Sequence, residues 1–138
     1  MASVTLERVT KRWGDVIAVD DVSLKVEDDE FMVLLGPSGC GKTTTMRMIA
    51  GLEEPTDGEI YIGEKLVNDE LPKDRDVAMV FQNYGLYPHM SVYENIRYPL
   101  KVRNGPKDKH EELVKRAAEK VQLGHLLKRR PRELSGGQ

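Results

Sequence analysis

The stretch from Phe31 to Thr43 constrains this chain more than any other. Phe31-Met32-Val33-Leu34-Leu35 is a continuous apolar run, the pattern of a central strand covered on both faces. It leads directly into Gly36-Pro37-Ser38-Gly39-Cys40-Gly41-Lys42-Thr43 and then into a helix expected over roughly Lys42 to Ala50, which Gly51 closes as a C-terminal glycine. A strand that turns through glycines into a helix aims successive backbone N–H groups at one point. The helix N-terminus beneath adds a partial positive charge of roughly half a unit. Such a turn is built to hold an anion.

The spacing Gly36-x4-Gly41-Lys42-Thr43 is that of a phosphate loop. In that arrangement Lys42 reaches the β- and γ-phosphates of ATP and the Thr43 hydroxyl holds Mg2+. The expected ATP contacts are therefore Gly36, Pro37, Ser38, Gly39, Cys40, Gly41, Lys42, Thr43 and Thr44. Cys40, the single cysteine, reads as a small residue in a tight turn, with a thiol that bound nucleotide should shield. One cysteine forms no internal disulfide, in keeping with a reducing compartment.

Around the loop, Val4 and Leu6, then Val22, Leu24 and Val26, alternate with polar residues as half-buried strands do. Glu27-Asp28-Asp29-Glu30 reads as a solvated turn, 59–62 and 65–67 as short strands, and Asp76-Val77-Ala78-Met79-Val80-Phe81 as a second buried-type strand. Past Pro88 the pattern becomes helical. Ser91-Val92-Tyr93-Glu94 is a capping box, and Pro99 should end or kink the helix that it starts. Asn104-Gly105-Pro106 reads as a linker before an amphipathic helix over 107–123, whose stripe is Leu113, Val114, Ala117, Ala118 and Val121. The expected layout is a strand-rich, ATP-binding lobe over 1–87 and a helical lobe over 88–138, in one domain. A net charge of −2 gives the whole molecule no bias towards nucleic acid, and no nucleic-acid partner is expected. With no apolar run of about eighteen residues, membrane association would have to come through a protein partner.

Leu134-Ser135-Gly136-Gly137-Gln138 resembles, over all five positions, the signature motif of the ABC ATPases. The resemblance implies an α/β fold: a P-loop NTPase (ABC ATPase) core with an antiparallel β subdomain and the start of a helical subdomain. It implies a homodimer in which 134–138 closes over ATP bound to the partner, two glycines and a serine at a helix start forming a second anion nest. Gln82 matches the family's Q-loop glutamine, which touches Mg2+ and the attacking water, so that Lys42 and Gln82 become the expected catalytic pair. Trp13, the only tryptophan, matches the aromatic residue that stacks on adenine, the alternative being a core tryptophan. The segments 72–76, 80–92 and 129–133 resemble the ATPase subunits of sugar importers of the maltose and glycerol-3-phosphate type. From that follow two transmembrane permease subunits, an extracytoplasmic binding protein, and a position at the cytoplasmic face of the membrane. Tyr84, Leu86, Tyr87 and Met90 would then form a docking surface for the permeases, or else pack a lobe junction. Importers of polyamines, sulfate or iron, and soluble ABC ATPases outside transport, remain the alternatives.

No apolar run followed by Asp-Glu is present, so the family's Walker B aspartate and catalytic glutamate have no counterpart here. Its switch histidine has none either, because His89, His110 and His125 all precede the signature. The expectation is a partial sequence, ATP-binding but hydrolysing little or nothing alone, from an intact parent that is an ATPase.

Overall fold

The computed structural model describes residues 2–103 and 105–138; Asn104, the first residue of the expected linker, lies outside them. Two compact units divide the chain, Met1–Met79 and Val80–Gln138.

The first unit is built on an antiparallel sheet. Strands β1 (Val4–Trp13), β2 (Val16–Val26), β3 (Asp57–Ile62) and β4 (Lys65–Leu66) lie in the order β2-β1-β3-β4. β1 and β2 form a hairpin whose last pair is Trp13 and Val16, joined by the two-residue turn Gly14-Asp15. The expected alternation holds: Leu6, Val9, Val19 and Ile60 are buried, with Val4, Val22 and Leu24 packed partly against them. The acidic turn also forms, the Glu27 amide donating to the Glu30 carboxylate at 2.7 Å.

Helix α1 (Lys42–Ile49) covers this core through Met48, which is wholly buried and whose side chain contributes about 2 kcal/mol by leaving water. Its C-terminus is closed by Arg75, only 4% exposed. The guanidinium donates to the carbonyls of Met48 at 2.8 Å, Ile49 at 3.1 Å, Glu70 at 3.0 Å and Asn68 at 3.2 Å. A cation there also complements the negative end of the helix dipole. Gly51 is required beside it: φ is +74°, and a Cβ would stand 2.6 Å from Arg75 Nε.

Two expected strands do not form. Residues 31–35 adopt no strand, with Phe31 90% and Leu35 87% exposed, and 76–81 adopt none, with Val80 92% exposed. A covered central strand needs hydrogen-bonded neighbours on both sides. Among the described residues the four strands pair only with one another, and neither run acquires such neighbours.

In the second unit, α2 (Val92–Val102) starts at the expected capping box: the Glu94 amide donates to Ser91 Oγ at 3.2 Å and the Ser91 amide to Glu94 Oε2 at 2.8 Å. Two further first-turn amides, of Val92 and Tyr93, donate to the carbonyls of Arg129 (2.8 Å) and Leu127 (2.9 Å). Pro99 does not end the helix, which continues to Val102. Helix α3 (His110–Lys120) is shorter than expected, with a 3-10 turn over Lys107–Lys109 before it. Its buried stripe is His110, Val114 and Ala118; Leu113 is half-buried, whereas Ala117 and Val121 face solvent. Histidine joins the stripe because both ring nitrogens are satisfied, Nδ1 accepting from Arg97 Nε at 3.1 Å and Nε2 facing the Gly105 carbonyl at 3.1 Å.

Two stability predictions follow from these contacts. Arg75→Met should cost about 3 kcal/mol, because buried carbonyls lose charged donors; urea denaturation measures it, and a loss under ~0.5 kcal/mol would show that the clasp is dispensable. Bonds from the Ser91 amide, then its hydroxyl, hold the Glu94 carboxyl below its ordinary value of 4.5. A depressed folded value stabilises fully above the ordinary one, and the contribution is lost as pH falls through the folded value. The urea midpoint gap between native protein and Glu94→Gln should therefore be present at about pH 7 and shrink as pH falls below the ordinary carboxylate range.

Candidate functional site

The glycine-rich turn leads into α1 with Gly41 as N-cap and no side chain bonding the helix start. First-turn amides are thereby left to an external acceptor. Gly41 (φ +88°) packs so closely on β2 that a Cβ would lie 2.4 Å from the Ala18 carbonyl oxygen and 3.1 Å from Val19 Cγ2. Behind it, the Thr45 amide and hydroxyl both donate to the Gly41 carbonyl, at 2.8 and 3.0 Å. These contacts seat the helix start against the sheet.

Lys42 lies back along the turn. Its Nζ donates to the carbonyls of Gly36 (2.8 Å) and Pro37 (2.7 Å) and stands 3.2 Å from Cys40 Sγ. Cys40 is exposed. The Cys40 amide in turn bonds the Pro37 carbonyl at 3.4 Å, closing a tight turn across Pro37–Cys40.

Trp13 and the turn meet in one cavity of about 320 Å³, lined by Trp13, Val16, Ile17, Ala18, Gly39, Cys40, Gly41, Lys42, Thr43 and Thr44. Of the expected ATP contacts, Gly36, Pro37 and Ser38 are exposed residues of the same turn, outside that lining. Trp13 is 49% exposed, so it is not a core tryptophan. The cavity has an apolar, aromatic end and a cationic, amide-rich end, a division that suits an anionic ligand with a flat ring. Val16, Ile17 and Ala18 were not expected from the sequence. The two-residue turn Gly14-Asp15 was the available signal, because a hairpin there sets β2 beside Trp13.

The remaining expected site residues belong to the second unit. Gln82 is exposed in a turn closed by the Tyr84 amide on the Phe81 carbonyl at 3.0 Å. Residues 134–138 begin no helix. The Ser135 amide donates to Gln138 Oε1 at 3.0 Å and the Gln138 amide to the Ser135 carbonyl at 3.0 Å, closing a tight turn across Ser135–Gln138. Leu134 to Gln138 line a cavity of about 410 Å³ with Pro131, Asn83, Tyr84 and Leu86. Nearby, Asn95 pins the loop before α2: its Oδ1 accepts from the Tyr87 amide at 2.9 Å, and its Nδ2 donates to the carbonyls of Tyr87, Met90 and Ser91. The Tyr87 ring packs on Tyr98 at 4.7 Å, and a hydrogen bond between the two raises the Tyr87 phenol above its ordinary value. Tyr84 stays 68% and Leu86 48% exposed, so these two are not core packing. Among the described residues no group of three His, Cys, Asp or Glu could hold a metal, and no helix is long and apolar enough to cross a membrane.

Known proteins resemble this chain in sequence and in fold. The chain is 60% identical to the trehalose/maltose import ATP-binding protein MalK of Thermococcus litoralis, covering all of this chain and 39% of that protein. It is 54% identical to the xylose/arabinose import ATP-binding protein XacJ of Haloferax volcanii, again over its whole length and 36% of the relative. The chain thus spans under two-fifths of the curated relatives it matches. Among solved structures, the ATP-binding cassette MJ0796, a dimer in a post-hydrolysis state bound to ADP and Pi, superimposes with a TM-score of 0.85 at 36% identity, over 98% of this chain and 64% of that one. The fold is accordingly the expected α/β cassette, read here in its antiparallel sheet and helices. A family profile described as ABC transporter matches residues 19–138, taking in the glycine-rich turn, Gln82 and 134–138 together, and the chain belongs to that family.

Proposed function

We propose that this chain is the nucleotide-binding part of an ATP-hydrolysing ABC importer subunit, with its own ATP bound between Trp13 and the turn Gly36–Thr43. The observation that carries the reading is the single cavity in which an aromatic ring and an amide-rich helix start face one another. The adenine would lie on Trp13 against Val16 and Ile17, and the phosphates would accept from the amides around Gly39–Thr44 and from Lys42. Mg2+ is a hard cation that takes few protein oxygens beside phosphate and water, and the Thr43 hydroxyl in the cavity lining would supply one. When bound, Mg2+ neutralises charge on the phosphates; Lys42 does the same from the protein side, and Gln82 would orient the attacking water.

Leu134–Gln138 would act on ATP held by a second copy, making the functional unit a homodimer. Tyr84 and Leu86, exposed beside that motif, fit an apolar contact with permease subunits, which in an importer work with an extracytoplasmic binding protein and hold the ATPase at the cytoplasmic face of the membrane. Relatives named for trehalose/maltose and for xylose/arabinose import favour a sugar as cargo, glycerol phosphate being the other solute that the resemblance of 80–92 implies.

Calorimetric titration of ATP-Mg tests the site. Native protein should bind saturably, and Lys42→Ala should bind about ten- to hundredfold more weakly, the worth of a charged hydrogen bond; native protein with no saturable binding would end the reading. Cys40 offers a second test. Iodoacetamide should alkylate it in free protein, and saturating ATP-Mg should slow the reaction, whereas an unchanged rate would mean that Cys40 does not line the occupied site.

A further inference from the structure

Trp13 stands at the end of a hairpin, half exposed, where an indole has little to fix its plane. It is nevertheless held. Lys11 precedes it by two positions on β1, so both side chains leave the same face of the strand. Lys11 is an unusual strand residue: a lysine only 9% exposed. Its Nζ lies 5.3 Å from the centre of the Trp13 ring, 2.8 Å from Glu53 Oε1 and 2.7 Å from the Glu54 carbonyl oxygen. The Glu53 carboxyl is held below the ordinary range, first by its hydrogen bond from Lys11. The indole thus has a cation against its ring, and that cation is itself anchored by Glu53 and the Glu54 carbonyl.

The clamp has a defined origin in the fold. Glu53 and Glu54 lie just past α1, and the same segment is stitched to β1 by the Thr56 amide on the Thr10 carbonyl (2.8 Å) and the Arg12 amide on Thr56 Oγ1 (3.0 Å). One end of α1 therefore carries the glycine-rich turn, and the chain leaving its other end carries the groups that hold Trp13. Neither Lys11 nor Glu53 lines the cavity that Trp13 shares with the turn, so the clamp leaves the ring open on that side. A mostly buried ion pair adds little net stability, since desolvation offsets its attraction. What it does supply here is orientation.

We propose that Lys11 and Glu53 are positioning residues for the nucleotide base, fixing the plane of Trp13 at the correct reach from the phosphate turn. The proposal rests on the nucleotide reading above. It confines their effect to the base, because the phosphate end of the cavity is held by Gly41 on β2 and by α1 itself.

Inorganic tripolyphosphate, which has phosphates and no base, separates the two. With Trp13 the only tryptophan, its emission reports this site directly. Lys11→Met and Glu53→Gln should each weaken ATP roughly tenfold, within what loss of base stacking costs, and leave tripolyphosphate affinity unchanged. Lys11→Arg, which keeps a cation on the ring, should restore ATP affinity to within about twofold. Trp13→Ala should remove the effect of Lys11→Met altogether. Variants that bind ATP like native protein, or that lose ATP and tripolyphosphate equally, would overturn the positioning role. Native protein that binds neither ligand would instead remove the nucleotide site, and this proposal with it.

Discussion

The approach of Gly41 to β2 is the constraint on which the site depends. With only a hydrogen in place of a side chain, the backbone comes close enough to the Ala18 carbonyl that any Cβ would overlap it. The N-terminus of α1 is thereby set against the strand that also walls the cavity. Met48 then fastens the middle of the helix to the sheet, and Arg75 fastens its far end. A helix held at three points presents its amides in a fixed direction, so an anion arriving there need not order the backbone first. Preorganisation of this kind is how a small number of polar contacts yields useful affinity.

Features written in local spacing were legible from the residues alone. The turn 36–43, the helix that Gly51 closes, the acidic turn and the Ser91–Glu94 box each depend on neighbours within a few positions, and each appears as expected. The runs 31–35 and 76–81 misled for the opposite reason. Apolar content states that a segment gains by burial, whereas strand formation requires partner backbones, and those lie far away in sequence. A five-residue apolar run therefore specifies a need, not its fulfilment.

The site itself was half legible. Its glycine-rich end follows from glycine spacing, but its aromatic end is assembled by strand pairing, which brings Val16 and Ile17 beside Trp13. Polar residues were the harder part throughout. The expected stripe does not include His110, yet a histidine with both nitrogens bonded costs little to bury. Lys11 would be counted as a solvated strand residue on the same grounds, and Arg75 as a surface charge. In each case an acceptor remote in sequence, Glu53 for Lys11 and the α1 carbonyls for Arg75, decides the matter.

Lys42 shows what such fixed geometry leaves free to change. Its ammonium bonds the Gly36 and Pro37 carbonyls, two neutral acceptors belonging to the turn itself. Phosphate oxygens are charged acceptors, so an ammonium bonded to them gains a charge–charge attraction that a carbonyl does not offer. A nucleotide entering the cavity would therefore compete for this side chain and win it, without any demand on the Gly41 contact or on α1. Only the lysine has to swing. The rest of the phosphate end can stay as folding left it, which is why the base end, where an indole must be held at the correct angle by an ion pair, is the more delicate half of the site.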